Sequence, residues 1–347
     1  MFQDLTVQEL RAKRDSGELV IIDVRSPSEY EESTIPGSIN IPFFDDRERA
    51  EIGTLYKQVS VQEAKKRGLE IISAKLPAFI AQFAAIPQKK ALFCWRGGMR
   101  SRTTATLLSL MDIHAYRLSG GFREYRRWVV ETLAEFSFNQ RAYVLHGNTG
   151  TGKTAILSEL ERRGYPVLDL EGMAGHRGSI FGQIGMRAHN QKTFESLLLE
   201  RLIALQHSPY VIMEAESRRI GKCVLPEFLM EAKETGIPIR VELPIGERIR
   251  HILEDYRPEE HKQQCMAAFR VIKSRIHTPV AAEIEQSIRN DDFGRAAELL
   301  LTAYYDPRYE HGSDRYDSGQ ERFVQADSAA AALEPIIAAL PGSGVPV

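Results

Sequence analysis

Arg141-Ala142-Tyr143-Val144-Leu145-His146, followed by Gly147-Asn148-Thr149-Gly150-Thr151-Gly152-Lys153-Thr154, decides the fold of the second half of this chain. The first six residues form a short apolar run, the habit of a buried strand. The next eight satisfy G-x-x-x-x-G-K-[ST] in full, and Ala155 to Arg163 continues with helical spacing. Strand, glycine-rich loop and helix in that order make a phosphate-binding loop. Its glycines let the backbone approach phosphate closely, and its N–H groups and helix N-terminus attract oxyanions. Lys153 neutralises them, and Thr154 can ligate Mg²⁺.

Downstream, the alternation of apolar runs and helical stretches predicts an α/β domain with a parallel sheet. Tyr165 to Leu168 reads as a strand, and Asp169 and Glu171 follow it on the substrate side. Pro209 to Met213 is another strand, ending in Glu214, where the Mg²⁺-side acid of such a site is needed. Glu216, Arg218 and Arg219 come next and could reach the same ligand. His176-Arg177-Gly178-Ser179 reads either as a binding loop or as plain surface. Ile239 to Leu243 restores the strand rhythm, and residues 246–310 read as amphipathic helices. The stretch from Ala326 is rich in Ala, Pro and Gly and is expected to be loosely held.

Upstream, Glu18 to Asp23 and Lys90 to Cys94 read as buried strands, and Ser101 to Met111 as a helix. From the end of the second strand to that helix runs Cys94-Trp95-Arg96-Gly97-Gly98-Met99-Arg100. Two glycines let this loop curl so that its N–H groups point inward, and the helix N-terminus, Arg96 and Arg100 add positive charge. A cysteine at the base of such a cradle should be a thiolate nucleophile. Arg96, Arg100, Arg102, Arg117, Arg123, Arg126 and Arg127, against only Asp112 and Glu124, make the segment locally basic. Beside a reactive cysteine that charge suits an anionic substrate.

The bulk properties set the frame. A length of 347 residues is long for one core and comfortable for two. The expected division is residues 1–135, residues 136–325 with the C-terminal helices, and a tail at 326–347. No run is long and apolar enough to span a bilayer, and Met1 to Arg11 has no signal-peptide core, so a cytoplasmic protein is expected. The three cysteines, Cys94, Cys223 and Cys265, form no C-x-x-C pair, which argues against a disulfide framework or a zinc site. A net charge of −2 advertises no nucleic-acid binding by the chain as a whole.

Residues 1–130 resemble a rhodanese domain. Leu19 to Asp23 with Val24 and Arg25, Glu29-Tyr30, Ile35-Pro36-Gly37 through Pro42, the Cys94 loop, and Leu118 to Phe122 with Trp128 carry the likeness, in order. The resemblance implies a chalcogen carried on Cys94. Ser33-Thr34 stands where that family usually has Gly-His. Five residues separate Cys94 from Arg100, one more than in many sulfurtransferases and as many as in phosphatases of the same fold. The longer loop suits a phosphate, or a donor such as a chalcogen-bearing phosphate.

The chain as a whole resembles the bacterial tRNA 2-selenouridine synthase family. Phe93 to Ser101, Gly147 to Thr154, Asp169 to Glu171 with His176 to Ser179, and Glu216 to Gly221 are the matching stretches. The resemblance implies exchange of sulfur for selenium in wobble 2-thiouridine of tRNA, with selenophosphate as donor and a geranylated intermediate made from geranyl diphosphate. Cys94, Arg96 and Arg100 would be catalytic and Gly147 to Thr154 would bind phosphate. Mg²⁺ could serve at the P-loop, no tightly bound organic cofactor is expected, and an enzyme that produces selenophosphate is a natural partner. Two other readings of the residues stay open. One is a P-loop kinase or ATPase with a sulfur-carrier domain; the other is a rhodanese-fold phosphatase or regulatory binding protein.

Overall fold

The apolar runs read as strands do form parallel sheets, one in each half of the chain. The computed structural model describes residues 2–310 and 321–341. By contacts the chain divides into Met1–Glu135 with Glu195–Leu199, and Phe136–Phe194 with Glu200–Val347.

The first unit runs β1 (Gln3–Leu5), α1 (Val7–Asp15), β2 (Leu19–Asp23), α2 (Pro27–Glu32), β3 (Ile39–Asn40) and α3 (Asp46–Gln58). It continues with α4 (Val61–Ala84), β4 (Lys89–Phe93), α5 (Met99–Leu110), β5 (Ala115–Leu118) and α6 (Gly121–Ala134). The strand order is β1-β5-β4-β2-β3, and every pairing is parallel. Ile21, Ile22, Ala91, Leu92 and Phe93 are all buried, as strands covered by helices on both faces require. The helical pair α3 and α4 is an element that strand-and-loop patterning did not foresee. It packs Ile72, Phe79 and Phe83 with Phe43 and Phe44 into the same core as Ile22 and Leu92.

A buried ion pair locks the end of β2. Arg25 donates to Asp23 at 2.6 Å, and its guanidinium lies 4.3 Å from the centroid of the Phe122 ring. The Thr34 hydroxyl donates to Asp23 at 2.9 Å, and Ser33 offers its carbonyl to Arg25 at 2.6 Å. The Ser33-Thr34 pair therefore completes a structural network, which satisfies charges that would be costly if left alone.

The second unit runs β6 (Arg141–His146), α7 (Lys153–Arg162), β7 (Val167–Leu168), α8 (Leu170–Ala174), α9 (Gln191–Ala204) and β8 (Tyr210–Glu214). Then come β9 (Arg219–Ile220), β10 (Cys223–Val224), α10 (Glu227–Glu234) and β11 (Ile237–Glu242). Helices α11 (Ile245–Tyr256), α12 (Pro258–Ile272), α13 (Thr278–Arg289), α14 (Phe293–Leu300) and α15 (Asp306–Glu310) follow. The chain closes with β12 (Arg322–Gln325) and α16 (Ala329–Ala338). The main sheet has the order β12-β11-β6-β8-β7, again all parallel, with β9 and β10 as a small antiparallel pair. Phe269, Ile284, Ile288 and Phe293 gather the helices after β11 around a core of their own.

The stretch from 326 corrects the expectation of a loose tail. Helix α16 buries Ala329, Ala332, Leu333, Ile336 and Ile337 against the β6–β11 core, and Leu340 joins them. The apolar spacing of three and four residues makes a packed helix of what reads by composition as a tail. Residues 342–347 lie outside the described part. Among the described residues, no helix is long and apolar enough to cross a membrane.

Candidate active sites

Cys94 follows β4 directly and is buried. Its Sγ lies 3.2 Å from the Ser101 hydroxyl, which sits in the first turn of α5. The loop between them is clamped by backbone. Phe122 N–H donates to Cys94 O at 2.8 Å, and Arg123 N–H to Trp95 O at 2.9 Å. Gly121, at φ +62°, passes so close that a Cβ there would lie 2.2 Å from Cys94 O. The glycine pair after β5 is thus required by the cysteine loop. Arg117 adds a side-chain brace, donating to Gly97 O at 2.9 Å.

Arg100 is fixed by Glu29 on α2, with one hydrogen bond at 3.1 Å and a second, shorter one. Burial works to raise the Glu29 carboxyl, but the Arg100 guanidinium overrides it and leaves Glu29 below its ordinary pKa. Arg100 is therefore a pre-aimed cation, whereas Arg96 is exposed. Beside them opens a cavity of about 540 Å³ with apolar walls from Phe43, Phe44, Ile52, Leu69 and Met99 and with Arg100 among its lining residues.

In the second unit, Gly147 to Thr154 joins β6 to α7. Side chains from far along the chain hold this loop. Arg248 on α11 donates to Thr149 O at 2.9 Å and grips Asp306 through two hydrogen bonds, at 2.6 and 3.0 Å. Asp306 in turn accepts from Asn148 at 3.2 Å, and the His251 ring bonds Gly150 O at 3.0 Å. Lys153 rests on the loop itself, donating to Gly147 O at 3.0 Å. A polar cavity of about 450 Å³ opens over the loop, lined also by Glu171, Arg177, Ser179, Glu216 and Arg308.

The tRNA 2-selenouridine synthase AAA domain matches residues 140–277, and the rhodanese-like domain matches residues 6–127. A tRNA 2-selenouridine synthase of Nitrosomonas europaea is 31% identical over 313 residues, covering 87% of this chain and 81% of its own. The chain belongs to the tRNA 2-selenouridine synthase family. That of Aeromonas salmonicida is 31% identical over 323 residues, covering 83% of this chain and 86% of the relative. Among solved structures, a human single-domain sulfurtransferase is 26% identical, covering 37% of this chain and 97% of its own, with a TM-score of 0.24.

As a member of the synthase family the chain is a tRNA-modifying enzyme. Its structure brings some of the expected site residues together and not others. Glu171 reaches the P-loop, accepting from the Thr154 hydroxyl at 3.2 Å and sharing a hydrogen bond with Glu216. Burial, then the charge of Glu216, pushes the Glu171 carboxyl up to about 8, against the pull of Lys153. The Glu171–Glu216 pair therefore shares a proton above the ordinary carboxylate range.

Glu214 is buried, and its oxygens accept the N–H groups of Leu170 at 3.2 Å and Glu171 at 3.0 Å. Burial and the nearby Asp169 raise its carboxyl well above the ordinary range. Asp169 caps α8 through Gly172 N–H at 2.7 Å. Both acids thus shape the start of α8, one step behind Glu171. Arg218 pairs with Glu227 at 3.0 Å and Arg219 is exposed; neither lines the P-loop cavity. Arg177 and Arg308 supply positive charge there instead.

Sequence reading missed Arg248, His251, Asp306 and Arg308. A buried Arg and His on one amphipathic helix was the signal available for the first two. Cys223 and Cys265 are buried, and burial lifts the Cys265 thiol to about 11.

Proposed function

We propose that this enzyme replaces the sulfur of wobble 2-thiouridine in tRNA by selenium, using selenophosphate, through an S-geranyl intermediate made from geranyl diphosphate. The observation that carries the reading is the presence, in a chain of this family, of two separate anion cradles. One holds a cysteine and the other is a complete phosphate loop. A thiocarbonyl sulfur is a poor leaving group, whereas an alkylated one departs as a thiol. The reaction therefore needs an alkylation site and an exchange site.

The P-loop suits alkylation. The N–H groups at the start of α7, with Lys153 and Arg308, would hold the diphosphate and stabilise it as it leaves. While Glu171 holds the shared proton it adds no repulsion and can donate a hydrogen bond to a phosphate oxygen. An apolar recess lined by Phe181, Ile252, Leu253 and Phe293 meets the loop at Thr149 and gives the isoprenoid chain a direction to run. Thr154 would fit a Mg²⁺ ion held mostly by diphosphate and water, with Glu171 joining only once it has lost its proton, since no group of three or more acidic, His or Cys ligands occurs among the described residues.

The Cys94 loop suits the exchange. Arg100 and Arg96 would hold the phosphate of selenophosphate while Cys94 serves selenium delivery. The apolar cavity beside Arg100 offers walls to the geranyl chain that must leave. The donor has to come from an enzyme that makes selenophosphate.

The test is to incubate the purified protein with 2-thiouridine tRNA, geranyl diphosphate and selenophosphate, then weigh the nucleosides. A 2-selenouridine product that needs both co-substrates is expected. Unchanged RNA with ATP consumed on addition would sink the reading in favour of a kinase.

A further inference from the structure

Selenium in selenophosphate is already at the oxidation level of selenide. Joining it to a cysteine thiolate as Cys–S–Se⁻ would need phosphorus to depart with the electron pair of the P–Se bond, as phosphite, or else an added oxidant. A carrier that takes sulfur from thiosulfate meets no such obstacle, because sulfite leaves with that pair. The usual chemistry of a sulfur-carrying cysteine therefore does not balance with the donor proposed above.

We propose that Cys94 accepts the phosphoryl group of selenophosphate and sets selenide free in the site; this rests on the reading of the function just given. The Sγ thiolate attacks monoprotonated selenophosphate, whose proton passes to selenium; the S–P bond forms while the P–Se bond breaks, and its electrons leave on selenium as hydrogen selenide. Hydrogen selenide attacks C2 of the S-geranylated uridine and forms the C–Se bond. The C–S bond breaks, and the geranyl thiolate departs with the proton that selenium carried. Water then cleaves the S–P bond, returning the Cys94 thiolate and inorganic phosphate. No electron acceptor is needed at any step.

The loop is built for phosphoryl rather than for a lone chalcogen. The backbone N–H groups of residues 96–101 donate to no acceptor among the described residues, and the first helical bond of α5 comes from Arg102 to Gly98 O at 3.1 Å. Gly97 N–H packs against Gly121, but the open donors that remain at the start of α5 outnumber what one selenium atom on Sγ can use and would suit the oxygens of a transferring phosphoryl group. Arg100, the residue that closes the five-residue span, is held by Glu29 through both terminal nitrogens, and its remaining N–H groups and positive charge would serve those oxygens. The Ser101 hydroxyl, 3.2 Å from Sγ, can donate to the sulfur when it is expelled as thiolate during hydrolysis. Hydrogen selenide is a weak base and a good leaving group, and its proton comes with the selenophosphate, so no protein acid is needed; this matches a loop whose neighbouring carboxylate, Glu29, is committed to Arg100.

The experiment uses the full chain and selenophosphate labelled separately with radioactive phosphorus and radioactive selenium, because the two adducts have nearly the same mass. Phosphorus label should appear on the wild-type protein and be absent from Cys94→Ser. It should accumulate several-fold in Ser101→Ala, whose hydrolysis is slowed, and that gain should shrink as rising pH favours the thiolate leaving group. Selenium label should not stay bound. Thermal unfolding of each variant checks that it folds. Covalent selenium on Cys94, or the absence of both labels, would overturn the proposal. A parallel reaction with S-geranylated tRNA keeps the two ideas apart. If 2-selenouridine forms without phosphorus label on Cys94, the phosphoryl step is wrong and the functional reading stands. If Cys94 is phosphorylated and no 2-selenouridine forms, the functional reading falls instead.

Discussion

The two anion cradles share a plan and differ in how they are held. Each ends a parallel strand and begins a helix, which places backbone N–H groups and a helix N-terminus at the carboxyl edge of a sheet. The Cys94 loop is clamped by other backbone, with Gly121 and Phe122 pressed against Cys94 O and Arg100 locked by Glu29. The Gly147–Thr154 loop is held by long side chains, Arg248 and His251, and its own cation rests on a loop carbonyl. A nucleophile must meet its target within a narrow angle, and backbone clamps give that precision. A site for the proposed diphosphate would have only to surround charge, so Lys153 would wait on the loop and turn to the ligand on its arrival.

The largest test of this contrast is Arg100→Ala. It removes the pre-aimed cation of the cysteine loop and should slow selenium transfer by about 10²–10³-fold, the scale of losing one transition-state donor. Geranylation of 2-thiouridine RNA by the same variant should be unchanged. Equal losses in both steps, measured by nucleoside mass, would erase the distinction between the cradles.

A smaller effect is expected at the apolar cavity beside Arg100. Leu69 is exposed at its wall, so Leu69→Glu should fold normally while placing a charge where the proposed geranyl chain would lie. The KM for S-geranylated RNA should rise about tenfold, with little change for an S-methylated analogue. An equal change for both substrates would show that the cavity does not recognise the chain.

The smallest effect belongs to Glu171. Unfolded, this carboxyl titrates near 4.5, and in the folded protein it keeps its proton up to about 8. The native state thus binds an extra proton across that window, and its stability falls as pH rises through it. In buffer free of metal and phosphate, Glu171→Gln should flatten the decline of Tm between those limits. A decline of unchanged slope would mean that Glu171 is not held neutral beside the P-loop.

Much of this was legible in the chain because the two loops are contiguous. Cys94 to Arg100 and Gly147 to Thr154 each carry their backbone freedom, charge and helix start within a few residues. What supports them was less legible, because it comes from far away. Gly121 reads as a turn until its approach to Cys94 O is seen. Arg248 and Asp306 brace a loop that precedes them by about a hundred residues or more, and no local pattern marks that pairing. Arg218 and Arg219 follow a strand end in sequence yet face away, because β9 turns them toward Glu227 and solvent. Composition obscured α16, whose apolar spacing was nonetheless present at Ala329, Ala332, Leu333, Ile336 and Ile337.

The central claim is that each cradle serves its own half of the reaction, and it can be tested by separating the halves. Cys94→Ser and Lys153→Ala should each be assayed for geranylation of 2-thiouridine tRNA and for selenation of tRNA geranylated beforehand. The account predicts that Cys94→Ser geranylates and fails to selenate, while Lys153→Ala selenates and fails to geranylate. Loss of the same half-reaction in both variants would contradict it.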